Sequence, residues 1–358
     1  MTREELFSLK PFELPKIKKR EYYKEILKDM TKAHYDNCKE YANLLDVLSF
    51  DVTELHEPEE YPFLPVRLFK ELDLKSVATE EVVKTMTSSG TTGQKVSKIY
   101  LDKVTSMNQS AALVRITADM LGGKRFPMLI IDTKNVIKDR RMFSARGAGI
   151  LGFSMFGRDT TYALDENMQL DYEVVEAFLE KYKGEPILLF GFTFIVWEHF
   201  YKELKKCGRK LDLSMGVLLH GGGFKKLASE AVDNDTYKRC LNEVCGIERV
   251  CNYYGMVEQT GSIFMECECG RLHASNYSDI IIRNPYDFSV CEKGEKGLIQ
   301  LISLLPDSYP GHSILSEDLG ELTGEDDCPC GRMGKTFVIH GRIAKAEVRG
   351  CSDTYEKK

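Results

Sequence analysis

Apolar side chains recur at roughly helical spacing from Arg20 to Leu48, including Ile26, Leu27, Met30, Ala33, Tyr41, Leu44 and Leu45, which predicts one long helix. Tyr61-Pro-Phe-Leu-Pro65 breaks that period and starts an extended segment. Beyond it, short apolar runs alternate with helical stretches. Met128–Ile131, Ile187–Phe190, Gly216–Leu219 and Val250–Tyr253 read as buried strands, and Asp102–Leu121, Tyr172–Tyr182, Phe194–Cys207 and Leu227–Val244 as the helices around them. Such alternation predicts an α/β fold, a mostly parallel sheet covered by helices. After Gly261 the texture turns to short strands, Leu272–His273, Ile280–Arg283, Gly297–Leu304 and Thr336–Ile339, which predicts a small β-rich subdomain. The expected divisions are a helical segment 1–60, an α/β core 61–261, the β-rich part 262–341 and a hinge-like tail 342–358.

The 358 residues are 43% hydrophobic, ample for a large core. A net charge of −6, with one short basic patch at Lys16–Arg20, gives no nucleic-acid footprint. No apolar run is long enough to span a bilayer, and Met1–Lys10 carries Arg3, Glu4 and Glu5 rather than a signal core, so a cytoplasmic protein is expected. Eleven cysteines in such a chain suggest buried thiols, a metal site or a nucleophile rather than disulfides.

Thr87-Ser-Ser-Gly-Thr-Thr-Gly-Gln-Lys95 is the most specific segment. Five hydroxyls and two glycines fall between Thr87 and Gly93, followed by Lys95 and Lys98. Glycines let backbone N–H groups converge on an anion, hydroxyls add donors and lysines add charge. The composition suits a polyphosphate, though a polar surface loop would share it. It is no Walker A loop, because no Gly-Lys-Ser/Thr follows.

The order Ser88-Ser89-Gly90-Thr91-Thr92-Gly93 resembles the phosphate loop of the adenylate-forming superfamily, in which it holds the β- and γ-phosphates of ATP. The usual Gly-x-Pro-Lys continuation is here Gly93-Gln-Lys-Val96, with the lysine one position early. Further pieces follow in the superfamily order. Gly221-Gly222-Gly223 after a buried strand resembles the glycine turn of the adenine pocket. Tyr253-Tyr254-Gly255-Met-Val-Glu258 resembles Tyr-Gly-x-Thr-Glu, implying an aromatic on adenine and Glu258 as a Mg²⁺ ligand; Val257 replaces the threonine. Ile314-Leu-Ser-Glu-Asp318 resembles Thr-Gly-Asp, implying that Asp318 binds the ribose hydroxyls. Gly341-Arg342 resembles the hinge whose arginine contacts the nucleotide.

Superfamily members normally carry a further small domain after the hinge, and no candidate for one is expected here. The ending Arg349-Gly-Cys351 is instead similar to the acyl-protein synthetases, the LuxE family, in which a cysteine near the C-terminus carries the acyl group. The resemblance assigns that role to Cys351. The tether from Arg342 to Cys351 spans at most about 30 Å when extended, enough to reach a bound adenylate. Lys345 and Arg349 would favour the thiolate, against Glu347 and Asp353.

Glu266-Cys-Glu-Cys-Gly-Arg271 and Asp327-Cys-Pro-Cys-Gly-Arg332 are one phrase used twice. Two Cys-x-Cys-Gly turns predict a structural Zn²⁺ on Cys267, Cys269, Cys328 and Cys330, with His273 able to displace one ligand. Reduced, half-buried thiols are the alternative. Gly147-Ala-Gly-Ile-Leu-Gly152 fits the dinucleotide fingerprint as a string but lacks an apolar strand before it. A glycine-rich wall beside an acyl pocket, with Phe153, Met155 and Phe156, is the expected reading. His220 stands open between base, substrate contact and structural residue.

The resemblance therefore implies a ligase that uses ATP and Mg²⁺ to turn a carboxylic acid, in this family a long-chain fatty acid, into an acyl-adenylate. Cys351 then takes the acyl group as a thioester and delivers it to an NADPH-dependent acyl reductase within a multienzyme complex. A phenylacetate-type CoA ligase using free CoA, and a non-catalytic nucleotide-binding module, are the competing readings.

Overall fold

The computed structural model describes residues 3–88, 95–137 and 145–343. Its described residues form an α/β fold in two compact units, one built from those up to Met120 together with those from Tyr254 onward and the other from those within Leu121–Tyr253. The divisions differ from those expected at 60/61 and 261/262. The first segment cannot stand apart, because its helices pack on strands and turns from the last third of the chain.

Five parallel strands form the sheet of the second unit, in the order Arg249–Tyr254, Gly216–Gly221, Ile187–Phe192, Phe126–Thr133 and Gly157–Leu164. Ile187–Phe192 and Gly216–Gly221 are buried throughout, as strands covered on both faces must be. Each expected strand lies inside one of these. The helices are more broken than their periodicity suggested. Phe194–Cys207 contains a π-helical turn at Val196–Tyr201, and the span from Leu227 splits into a short 3₁₀ turn and helix Asn234–Cys245.

In the first unit Ser278–Arg283, Lys296–Ser303, Ser313–Glu325, Lys335–Arg342, Leu272–His273 and Phe264–Glu266 are successive antiparallel neighbours. Phe264, Leu272, Ile280, Ile282, Ile299, Leu301 and Phe337 form its core. A separate hairpin pairs Lys84–Thr87 with Lys98–Leu101.

Helix Lys16–Asn37 crosses this unit and ends early. The Asn37 side chain donates to the Ala33 carbonyl, Cys38 is extended, and a second helix runs Lys39–Leu48. His312 is buried between both helices, where its Nε2 meets Thr31 Oγ1 at 3.0 Å and Tyr41 Oη at 3.2 Å, and its ring stacks on His34. Three of the four cations of the basic patch are held in ion pairs: Lys16 with Glu325, Lys19 with Asp279, and Arg20 with Glu57 and Glu59. Among the described residues no helix is long and apolar enough to cross a membrane.

Candidate nucleotide site

Strand pairing sets the geometry in the first unit. Ser313–Glu325 and Lys335–Arg342 run antiparallel with Asp318 opposite Arg342 in register. Arg342 Nε donates to Asp318 Oδ1 at 3.1 Å, and Tyr254 Oη donates to Oδ2 at 2.7 Å. The carboxylate is thus clamped from two sides. Behind it, Ser316 Oγ accepts from the Asp318 backbone N–H and donates to the Ile299 carbonyl. Ser316 occupies the threonine position of Thr-Gly-Asp, so the signal for this support was present in the sequence. Burial opposes the charge on Arg342, but Asp318 outweighs it and holds the guanidinium pKa above its ordinary value. Burial and then the Asp318 charge raise the Tyr254 phenol well above the usual range, so it remains a donor. Its ring packs on Phe264 and Phe337.

Glu258 sits in the 3₁₀ turn Val257–Gln259 and is only 4% exposed. The turn is latched from behind. Tyr309 Oη donates to the Glu258 carbonyl at 2.9 Å and accepts from Gln109 Nε2, while Gln259 Nε2 donates to Leu301 and Gly311 carbonyls. This latch carried no motif in the sequence, because its members come from distant segments. A buried carboxylate on a fixed turn is a hard oxygen donor of the kind Mg²⁺ takes, so the residue fits the ion.

At the phosphate loop, the described flanks are a hairpin. Thr87 pairs with Lys98, Ser88 N donates to the Ser97 carbonyl, and Ser97 N donates to Ser88 Oγ at 2.9 Å. Ser88 therefore closes the neck of the loop, and Lys95 follows it exposed. Ser89, Gly90, Thr91, Thr92 and Gly93 lie outside the described residues, as do Lys345, Glu347, Arg349, Cys351 and Asp353.

The second unit holds the glycine turn and the other tyrosine. Gly221 is opposite Tyr253 on the neighbouring strand, and a Cβ there would meet Tyr253 O at 2.6 Å and its ring at 2.7 Å. Gly222 and Gly223 have φ of 86° and 64°, where glycine is favoured. Tyr253 packs on Phe153 and Phe190. His220 is buried, with Nδ1 2.9 Å from Thr193 Oγ1 and its ring stacked on Tyr237. Burial, then Lys238, pushes it down to about 3, which leaves it neutral and a weak base. Gly147–Gly152 lies in helix Ala145–Phe153, where Gly149 allows close approach to Phe192.

The cysteine phrases do converge, with a change of membership. Ligand atoms of Cys267, His273, Cys328 and Cys330 lie within 4.8 Å of one another. Cys269 is exposed and outside that group, although its thiol also neighbours Cys267 and Cys328. Alternation explains the exchange: His273, on a strand paired with Thr336, points its side chain inward, whereas Cys269 lies in an open turn.

The chain matches the acyl-protein synthetase family LuxE across residues 2–358. It belongs to that family. Two LuxE-type relatives are named long-chain-fatty-acid–luciferin-component ligase. The one from Aliivibrio fischeri is 24% identical, covering 97% of this chain and 91% of the relative. The one from Vibrio harveyi is 22% identical, covering 91% and 85%. Among solved structures, an open 2-hydroxyisobutyryl-CoA ligase in complex with 2-HIB-AMP and CoA superposes with a TM-score of 0.73. It is 15% identical, and the match covers 94% of this chain and 77% of that one, which establishes an adenylate-forming fold. LuxE membership makes this chain an enzyme, a ligase of the acyl-activating type.

Proposed function

We propose that this enzyme activates a long-chain fatty acid with ATP and then carries the acyl group as a thioester on Cys351. The observation that carries the reading is the Asp318 carboxylate held between Tyr254 and Arg342, in a chain whose LuxE relatives are named fatty-acid ligases. Such a fixed, charged acceptor suits the two vicinal hydroxyls of a ribose, and Arg342 beside it adds a cation for the α-phosphate.

In the first step a fatty-acid carboxylate oxygen bonds to the α-phosphorus of ATP. The bond from that phosphorus to the bridging oxygen breaks, and pyrophosphate leaves with the electron pair. The hydroxyls and backbone of Thr87, Ser88, Ser89, Gly90, Thr91, Thr92 and Gly93, with Lys95, would hold the phosphates being expelled. Mg²⁺, when bound, would spread the charge of the leaving group, with Glu258 as its protein ligand. Gly221, Gly222, Gly223, Tyr253, Tyr254 and Gly255 keep the nucleotide-binding role that the resemblance gives them.

In the second step the Cys351 thiolate bonds to the acyl carbon, the carbon–oxygen bond to AMP breaks, and AMP departs as the leaving group. The thioester then serves as the acyl donor to an acyl-reductase partner. Incubation with ATP and radiolabelled fatty acid, followed by denaturing electrophoresis, tests the reading. A protein-bound label released by neutral hydroxylamine supports it. Acyl-CoA formed from free CoA without any protein label would replace it with a CoA-ligase activity.

A further inference from the structure

The geometry points to a structural Zn²⁺ site of three cysteines and one histidine, Cys267, His273, Cys328 and Cys330. All four ligand atoms lie within 4.8 Å of one another, and two of the distances between them match the edges of a zinc tetrahedron. With metal–sulfur bonds near 2.3 Å and a metal–nitrogen bond near 2.05 Å, tetrahedral edges come to about 3.8 Å between two sulfurs and about 3.6 Å between sulfur and nitrogen. Cys267 Sγ and Cys328 Sγ are 3.7 Å apart, and Cys330 Sγ lies 3.4 Å from His273 Nε2. A disulfide would need about 2.05 Å between sulfurs.

The two turns share one geometry. Cys267 Sγ accepts the Cys269 backbone N–H at 3.3 Å. In the two turns Gly270 and Gly331 occupy the matching positive-φ position, at 74° and 80°. Three thiolates and a neutral imidazole would leave a zinc centre with one net negative charge. Arg332, itself paired with Asp119 and Glu268, lies against Cys330 to balance it.

The ligands belong to separate strands and turns of one sheet. Cys267 follows strand Phe264–Glu266, His273 closes Leu272–His273, and Cys328 and Cys330 lie in the connection between Ser313–Glu325 and Lys335–Arg342. An ion here cross-links the far end of the hairpin that carries Asp318 and Arg342.

Zinc should be measured on the full chain purified without chelator or metal-affinity resin. About one zinc per chain is expected, at the stoichiometry of other four-ligand sites. Cys269→Ser should keep the full content. His273→Ala and Cys330→Ser should fall to roughly a tenth or less, and His273→Cys should recover it, because a fourth thiolate completes the same tetrahedron. Wild-type protein without zinc, or with iron in its place, overturns the site. So does zinc that survives in His273→Ala and disappears in Cys269→Ser, which would place the metal on four cysteines. The wild type and Cys269→Ser need no destabilising change, so a folding defect elsewhere does not protect the proposal.

Discussion

Asp318 and Arg342 face each other across two antiparallel strands, in register, with 3.1 Å between Oδ1 and Nε. Their partnership is made by the sheet rather than by a loop, so it is in place before any ligand arrives. If Asp318 receives the ribose, its loss should appear in nucleotide affinity first. Asp318→Asn and Arg342→Lys should each raise the KM for ATP in fatty-acid-dependent ATP–pyrophosphate exchange by about tenfold or more, the worth of a charged hydrogen bond. Tyr254→Phe, which removes a hydroxyl and keeps the packing, should cost about two- to tenfold. Unchanged KM values in all three variants would remove the nucleotide from this carboxylate.

Glu258 is predicted to act on rate more than on affinity. Glu258→Gln keeps the latch at its backbone carbonyl and loses the charged oxygen, so exchange should fall by about two orders of magnitude. Tyr309→Phe removes the latch and should give a smaller loss in exchange together with a lower melting temperature. Near wild-type exchange in Glu258→Gln would strike it from the machinery.

Cys351→Ser should separate the two half-reactions. A hydroxyl near its ordinary pKa lacks the thiolate needed to attack the mixed anhydride, so the covalent label should vanish while pyrophosphate exchange continues. Hydroxylamine-labile acyl groups persisting on Cys351→Ser would assign the carrier to another cysteine.

Gly221 makes a prediction about stability. An added Cβ would press on the Tyr253 carbonyl and ring, neither of which can withdraw from the sheet, so Gly221→Ala should cost about 1–3 kcal/mol. Gly223→Ala meets no atoms and should cost only the left-handed strain, about 1–2 kcal/mol. Gly123→Ala, in open space without positive φ, is the control and should be silent. Urea midpoints for the three variants check the ranking.

Two buried histidines set an acid limit. Burial pushes His220 down to about 3 and, with neighbouring His34, holds His312 well below its ordinary value. The unfolded chain protonates both near pH 6.5 and the folded chain does not, so their contribution is complete above that pH. It is lost as pH falls, at about 1.4 kcal/mol per pH unit for each histidine, and for His220 the loss continues to about pH 3. The urea midpoint should therefore drop between pH 7 and pH 5, and drop less steeply in His312→Asn. A flat profile over that range would contradict the burial of both rings.

Local patterns recovered four of the five parallel strands and four of the six antiparallel ones, because each of those buries a short apolar run; they missed Gly157–Leu164, which is only part-buried, and Phe264–Glu266 and Ser313–Glu325. They did not show the break at Cys38, which depends on one Asn37 side chain bonding backwards, nor the π-helical turn at Val196–Tyr201. Motif order placed Asp318 and Arg342 in one site and left unseen what supports them. Ser316 was readable from its place in the motif, whereas Gln109 and Tyr309 meet only through tertiary structure. The cysteine repeat announced a cluster, but the choice of His273 over Cys269 depends on which side chain a strand turns inward.

The first unit joins the two ends of the sequence around an insertion, and this orders events during synthesis. Among the described residues the second unit is one continuous stretch, Leu121–Tyr253, whose partners all emerge together. Helix Lys16–Asn37 finds only some of its partners nearby, in Glu57, Glu59, Tyr61 and Ser76, while Thr31 and His34 also wait for His312 and Pro306, far along the chain. An early helix therefore leaves the exit tunnel with part of its surface uncovered until the final third of the chain is made, and contacts so distant in sequence form slowly. During that interval the helix is open to chaperones and to premature association, so nascent chains stalled before residue 300 should expose it to protease while the inserted unit already resists.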